Sequence, residues 1–324
     1  MTFIATVVAR KGCALIADSL VTTSRAVLEY DDFLQYMKTK ITKDEAGAVH
    51  INLDTAEVID LFQSKPSYTK DFQEKLFEYG SNTAIATAGV AKLNDKSLES
   101  IINAAKKSLI KKGDNKQIKT RVQELANYLN KEANECLKAG NPVYHTIFII
   151  TRYSKGTQKT TIYKLSVNRK NPSDLKEGEE LQCVTFSEQP EYSTVVCEGQ
   201  NRITEKILWG DIETVYDLIP KVARHVIKDF KIKDEDIPPD YFSTLMKDKS
   251  LFPQEFYDDI KMVKLRELSL QQAVDLAGLL MRIERDIQTY TENIPTVGGN
   301  VKVAIIDDKG FKFLSGHDLK SQTF

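Results

Sequence analysis

The sequence predicts an α+β protein in which two antiparallel sheets face each other and helix layers cover their outer sides. Three observations carry this. Strand-like and helix-like patterns come in blocks (strands, a helix pair, strands, helices, strands), which opposes the single alternation of a doubly wound parallel sheet. The strand segments read at a period of two or as short continuous apolar runs. The long helical segments each carry one apolar face, as helices laid on a sheet must. Of 324 residues, 41% are hydrophobic and 28% charged, ample material for a core in a chain long for one compact domain and short for two.

Residues 2–9 and 12–18 are β-branched, apolar runs joined at Lys11-Gly12, a hairpin signal. A charged, irregular stretch follows to about residue 55. Residues 56–80 read as two short helical patterns broken at Pro66-Ser67, the second stopping at Gly80. NTAIATA (82–88) is a strand of small residues that runs into Gly89. Two helices follow. The first holds Leu98, Ile101, Ile102, Ala105 and Leu109 on one face and closes on Lys111-Lys112-Gly113; the second spans roughly 115–139. VYHTIFIITRY, TTIYKLSV, ELQCVTF and YSTVVCEG give four strands between 143 and 199. Helices resume at 201–209 and 212–230. The helix at 269–290 has Ser269 as its cap, and a hairpin turning at Lys309-Gly310 closes the chain. Residues 231–266 are charged and interrupted by Pro, and read as an inserted loop or lid.

Composition narrows the function classes. Forty-five basic and 46 acidic residues leave a net charge of −1, so no global field draws nucleic acid or an anionic membrane. The lysines are interleaved with acids (KDEA, KDEDI) and read as solvated faces rather than a phosphate track. Cys13, Cys136, Cys183 and Cys197 lack CxxC spacing, and the four His form no zinc pattern, so neither a metal nor a cofactor is expected. The first charge, Arg10, follows the opening apolar run instead of preceding it, unlike a signal peptide. NPVYHTIFIIT is too short to span a bilayer. A cytoplasmic protein is expected.

The chemistry concentrates at the start of the chain. Thr2 would become the first residue once Met1 is removed. A free α-amine has a reference pKa near 7.7–8.0, so it can accept the proton of its own hydroxyl. Asp18 closes the second strand of the hairpin, where it can return beside the start of the first.

With these residues in view, MTFIATVVARKGCALIADSLVTT resembles the opening of proteasome β-type subunits and their bacterial HslV-like relatives, which are N-terminal nucleophile (Ntn) hydrolases. Thr2, Gly12, Ala17-Asp18-Ser19 and Thr22 stand at the family's offsets. The resemblance implies a single domain over 1–324, a four-layer αββα sandwich with Thr2 as nucleophile and Asp18 as its charged neighbour. It also implies a lysine, for which MKTKI offers Lys38 and Lys40; Lys40 is preferred because Ile41 follows it. AIATAGVAKL resembles the family's strand–Ala-Gly–helix junction and implies Gly89 N–H as the oxyanion donor. STVVCEGQNRITEKIL and SLQQAVDLAGLL…VGGNVKVAIIDDKG resemble later family segments, and the resemblance implies that the unmatched segments 42–80 and 231–266 are insertions in the family domain. Where the family has a Ser in Gly-Ser-Gly, this chain has Cys197 and Glu198; where it has a late Asp, only Asn293 and Thr296 stand.

The implied activity is a threonine-type peptidase or amidohydrolase acting on a peptide or protein through an acyl-enzyme. The alternatives are an inactive scaffold member of the same fold and an acyl-transferring variant. A homo-oligomeric ring is implied. Since the chain has no Walker motif, any ATPase partner would be a separate chain.

Overall fold

Residues 2–43, 47–70, 73–110, 117–176, 178–191, 193–209, 212–233, 236–247, 265, 267–291 and 295–315 are described by the structure, a computed structural model. Met1, Asn293, the Lys111-Lys112-Gly113 helix stop and most of 231–266 lie outside these residues.

The chain opens with β1 (Phe3–Ala9), β2 (Gly12–Ala17) and β3 (Val21–Val27), then α1 (Tyr30–Thr39), β4 (Ile41–Lys43), β5 (Val49–Ile51) and α2 (Thr55–Asp60). Strands β6 (Gln63–Lys70), β7 (Leu76–Gly80), β8 (Thr83–Gly89), β9 (Lys92–Leu93) and β10 (Lys96–Ser97) lead into α3 (Leu98–Ile110) and α4 (Ile118–Lys138). Next come β11 (Thr146–Ser154), β12 (Lys159–Val167), β13 (Val184–Glu188) and β14 (Val195–Gly199). The chain continues through α5 (Arg202–Trp209), α6 (Ile212–Asp229), α7 (Tyr241–Lys247) and α8 (Leu270–Thr291), and ends with β15 (Lys302–Asp307) and β16 (Gly310–Ser315).

The result is an α+β fold with two five-stranded antiparallel sheets, ordered β14-β1-β2-β15-β16 and β13-β12-β11-β8-β7. Strand β1 shows why FIATVVA is almost continuously apolar: both of its faces are covered. Phe3, Ala5, Val7 and Ala9 pack with Ala273, Ala277, Leu280 and Met281 of α8. On the other face, Ile4 packs with Ala84, Ala86, Ala88 and Ile149 of the second sheet. Small side chains on β8 let the two sheets approach, and the buried hydroxyls of Thr6 and Thr151 meet between them at 3.1 Å. The outer face of the second sheet (Phe77, Ile85, Phe148, Ile150) is covered by Ile101 and Ile102 of α3 and Val122, Leu125 and Leu129 of α4. Ser269 caps α8 as expected: its Oγ accepts from Gln272 N–H at 3.2 Å while its own N–H donates to Gln272 Oε1 at 2.9 Å.

Three elements differ from the sequence reading. The helix expected to stop at Gly80 is strand β7, which pairs with β8 as the edge of the second sheet. Its apolar residues divide between two clusters, Phe77 and Tyr79 toward the helices and Leu76 toward the first sheet, so burial on two faces overrides the helical spacing. The irregular stretch to residue 55 contains β3, α1, β4 and β5. The stretch 42–80 does not stand apart as one unit: residues 21–70 form an arm, while 76–80 belong to the second sheet. Strands β3 and β6 pair as a separate two-stranded ribbon, and none of the side chains described between Val21 and Lys65 is buried.

Candidate active site

The β1–β2 hairpin brings Asp18 back to the start of the chain. Asp18 N–H donates to the Phe3 carbonyl at 3.2 Å, and Phe3 N–H donates to Asp18 Oδ1 at 3.1 Å. Gly298 N–H donates to Asp18 Oδ2 at 3.2 Å, and the Gly298 carbonyl accepts from Ser19 and Leu20, both at 3.1 Å. Thr2 and Asp18 are 2% and 1% exposed. Two sequence candidates therefore meet as expected.

Lys40 does not join them. It bonds Glu57 of α2 at 2.6 Å, half-exposed on the arm and 5.5 Å from the Tyr36 ring centre. Lys38 lies exposed in the last turn of α1. The lysine at Asp18 is Lys75: its Nζ donates to Asp18 Oδ1 at 3.0 Å and to the Leu20 carbonyl at 2.5 Å, and its side chain is 4% exposed. Sequence spacing missed it because the whole arm intervenes. A signal was present all the same. Lys75-Leu76 opens the run LFEY, and the Gly80-Ser81-Asn82 turn then leads into β8, a hairpin pattern.

Lys75 Nζ and Phe3 N bond the same oxygen, so the ammonium stands beside the Thr2–Phe3 peptide. Burial is the largest influence on the Asp18 carboxyl and pushes it above its usual range; the Lys75 charge and the two backbone N–H groups pull it back. A positive charge placed here disfavours protonation of a nearby amine, which keeps that amine able to accept a proton.

Gly89 ends β8 with φ +127° and is exposed. A Cβ there would lie 2.6 Å from the His145 carbonyl oxygen. The small β9–β10 hairpin takes the place of the expected strand-to-helix junction, and α3 begins only at Leu98. The N-terminus of α3 therefore adds no dipole directly at Gly89. Gln73 ties the loop after Gly89 to the Asp18 turn. Its N–H donates to the Ser19 carbonyl at 3.1 Å and its Nε2 to the Ala91 carbonyl at 3.0 Å.

Gly199, at the end of β14, completes the enclosure. With φ +93°, it sits so close to Thr2 that a Cβ would lie 1.8 Å from the Thr2 carbonyl oxygen and 3.5 Å from Ala88 Cβ. Gly199 thus packs against both Thr2 and Ala88 of β8. Glu198 pairs with Lys164 of β12, while Cys197 turns to the α8 side, where burial pushes its thiol up to about 12. Neither offers a hydroxyl in place of the family's Ser. Among the described residues, no group of three or more His, Cys, Asp or Glu is placed to hold a metal ion, and no helix is long and apolar enough to cross a membrane.

The chain matches no protein-family model and no curated protein.

Proposed function

We propose that this chain is an N-terminal threonine hydrolase with the proteasome-like Ntn sandwich, acting on peptide or protein amides. The observation that carries the reading is the buried Asp18–Lys75 pair locked onto the Thr2–Phe3 backbone. A lysine and an aspartate sequestered together make a poor stability device, because desolvation offsets most of their attraction. Beside a freed Thr2 amine they have chemical use.

In the proposed reaction, removal of Met1 leaves Thr2 with both amine and hydroxyl. The amine takes the hydroxyl proton as Oγ1 attacks the substrate carbonyl, and Gly89 N–H stabilises the oxyanion. The amine then gives that proton to the departing amine of the substrate, leaving an ester on Thr2. Water, deprotonated by the same amine, releases the acid and restores the hydroxyl. Lys75 keeps the amine neutral, and Asp18 holds Lys75.

A second reading, an inactive scaffold member of the fold, is favoured by the residues that replace the family's Ser and late Asp. One experiment separates them. Intact mass spectrometry of purified protein treated with a peptide epoxyketone reads both Met1 removal and adduct formation, since this warhead needs a hydroxyl and an amine on one residue. The hydrolase reading expects loss of Met1, one adduct, and none in Thr2→Ala. Retained Met1, or processed protein that forms no adduct, rejects it in favour of the scaffold. Assembly into a homo-oligomeric ring belongs to the same proposal and is tested by native mass.

A further inference from the structure

A one-way chain of hydrogen bonds runs from α8 to the side chain of Gln200, whose backbone bonds Thr2. Gln288 Oε1, buried, accepts from the backbone N–H groups of Thr296 at 2.7 Å and Val297 at 3.0 Å. Backbone N–H groups can only donate, so the end of Gln288 facing them must be its oxygen. The Thr296 hydroxyl, 3.1 Å from that same oxygen, must therefore spend its one proton there. Its oxygen is left to accept, and the group 3.3 Å away is Gln200 Nε2. The orientation of the Gln200 amide is thus dictated from α8: nitrogen toward Thr296, oxygen away from it. The backbone of the same residue already holds Thr2, since Gln200 N–H donates to the Thr2 carbonyl at 2.6 Å.

We infer that Gln200 is the positioning residue for the nucleophile: its amide oxygen accepts a hydrogen bond from the freed α-amine of Thr2 and holds that amine against the threonine's own hydroxyl. This rests on the reading of Thr2 as nucleophile. Two features give it content. The nitrogen end of the Gln200 amide is held by a chain that cannot reverse, so the oxygen is the end turned away from Thr296. The chain is also uncharged throughout, so it orients the amine without the pull toward the ammonium form that a carboxylate would exert. Among the described residues, the charged groups at this end of the fold include the Asp18–Lys75 pair, the Glu74–Lys302 pair next to it in the chain and, beyond Gly199, Glu198 paired with Lys164.

The test compares wild type, Gln200→Ala and Gln200→Glu in rate of adduct formation with a peptide epoxyketone across pH 5–9, with melting temperature measured alongside. Misplacing the amine in Gln200→Ala slows the adduct by ~10–100-fold at unchanged melting temperature. In Gln200→Glu, a carboxylate beside the amine moves the acidic limb of the pH profile to higher pH. A purely structural glutamine would not produce that shift. The inference is overturned if Gln200→Ala reacts at the wild-type rate, or if Gln200→Glu leaves the acidic limb in place. If wild type itself forms no adduct, the nucleophile reading fails first and takes this inference with it; the two failures are separated by the wild-type arm alone.

Discussion

Asp18 and Lys75 stand 57 positions apart in the chain, and their charges meet at 3.0 Å with both side chains withdrawn from water. Breaking a buried pair strands the surviving charge, at a typical cost of about 3–5 kcal/mol, whereas removing both charges costs much less. Asp18→Asn and Lys75→Met should therefore each lower stability by about that much in urea denaturation, and the double variant should lose less than the sum. Lys40→Ala, on the exposed arm, should leave the denaturation midpoint where it was. The opposite ranking of Lys40 and Lys75 would contradict the placement.

The glycines give a contrast. Gly199→Ala forces a Cβ into the Thr2 carbonyl at a left-handed backbone position, so stability should fall by at least ~1–3 kcal/mol. Gly278, inside α8 with nothing within 4 Å of its missing Cβ, should behave oppositely: Gly278→Ala should raise stability by ~0.5–1 kcal/mol. Thermal melts of the two variants, moving in opposite directions, check both.

The Thr6–Thr151 hydroxyl pair bridges the two sheets. Thr6→Val or Thr151→Val alone leaves one buried hydroxyl without its partner, costing ~1–3 kcal/mol, whereas the double valine variant should come close to wild type. A double-mutant cycle in denaturant measures the coupling.

Burial pushes the thiols of Cys13 and Cys197 from 9.0 up to about 12. Between those values the unfolded chain has given up its thiol protons while the folded chain keeps them. The folded state binds more protons, so stability falls as pH rises, by ~1.4 kcal/mol per pH unit for each thiol. The stabilisation is fully present below pH 9 and is lost on the way to 12. Denaturation midpoints should drop from about pH 9 to about pH 11, and the drop should shrink in Cys13→Ala and Cys197→Ala.

The parts legible in the sequence were those fixed locally. The β1–β2 hairpin, the Asp18 return and the Ser269 cap all lie within a few residues of the signals that reveal them. Lys75 was not legible by spacing, because counting forward from Asp18 enters the arm and meets Lys38 and Lys40 first. Strand β7 was misread because two-sided burial places apolar residues at adjacent positions, which mimics a helix face. Gln200, Thr296 and Gln288 carry no motif. What joins them is the approach of α8 and β14 in space, which no local pattern encodes.

The arm from Val21 to Lys70 leaves and re-enters the body beside the backbone hydrogen bond from Gln73 N–H to the Ser19 carbonyl. Its ends are held together by the fold, so its length enters stability only through loop-closure entropy, which grows by just ~0.6 kcal/mol for each doubling. The chain between Asp18 and Lys75 can therefore lengthen, shorten or exchange its contents at almost no cost to the sheets, while the two charges at its base keep their separation.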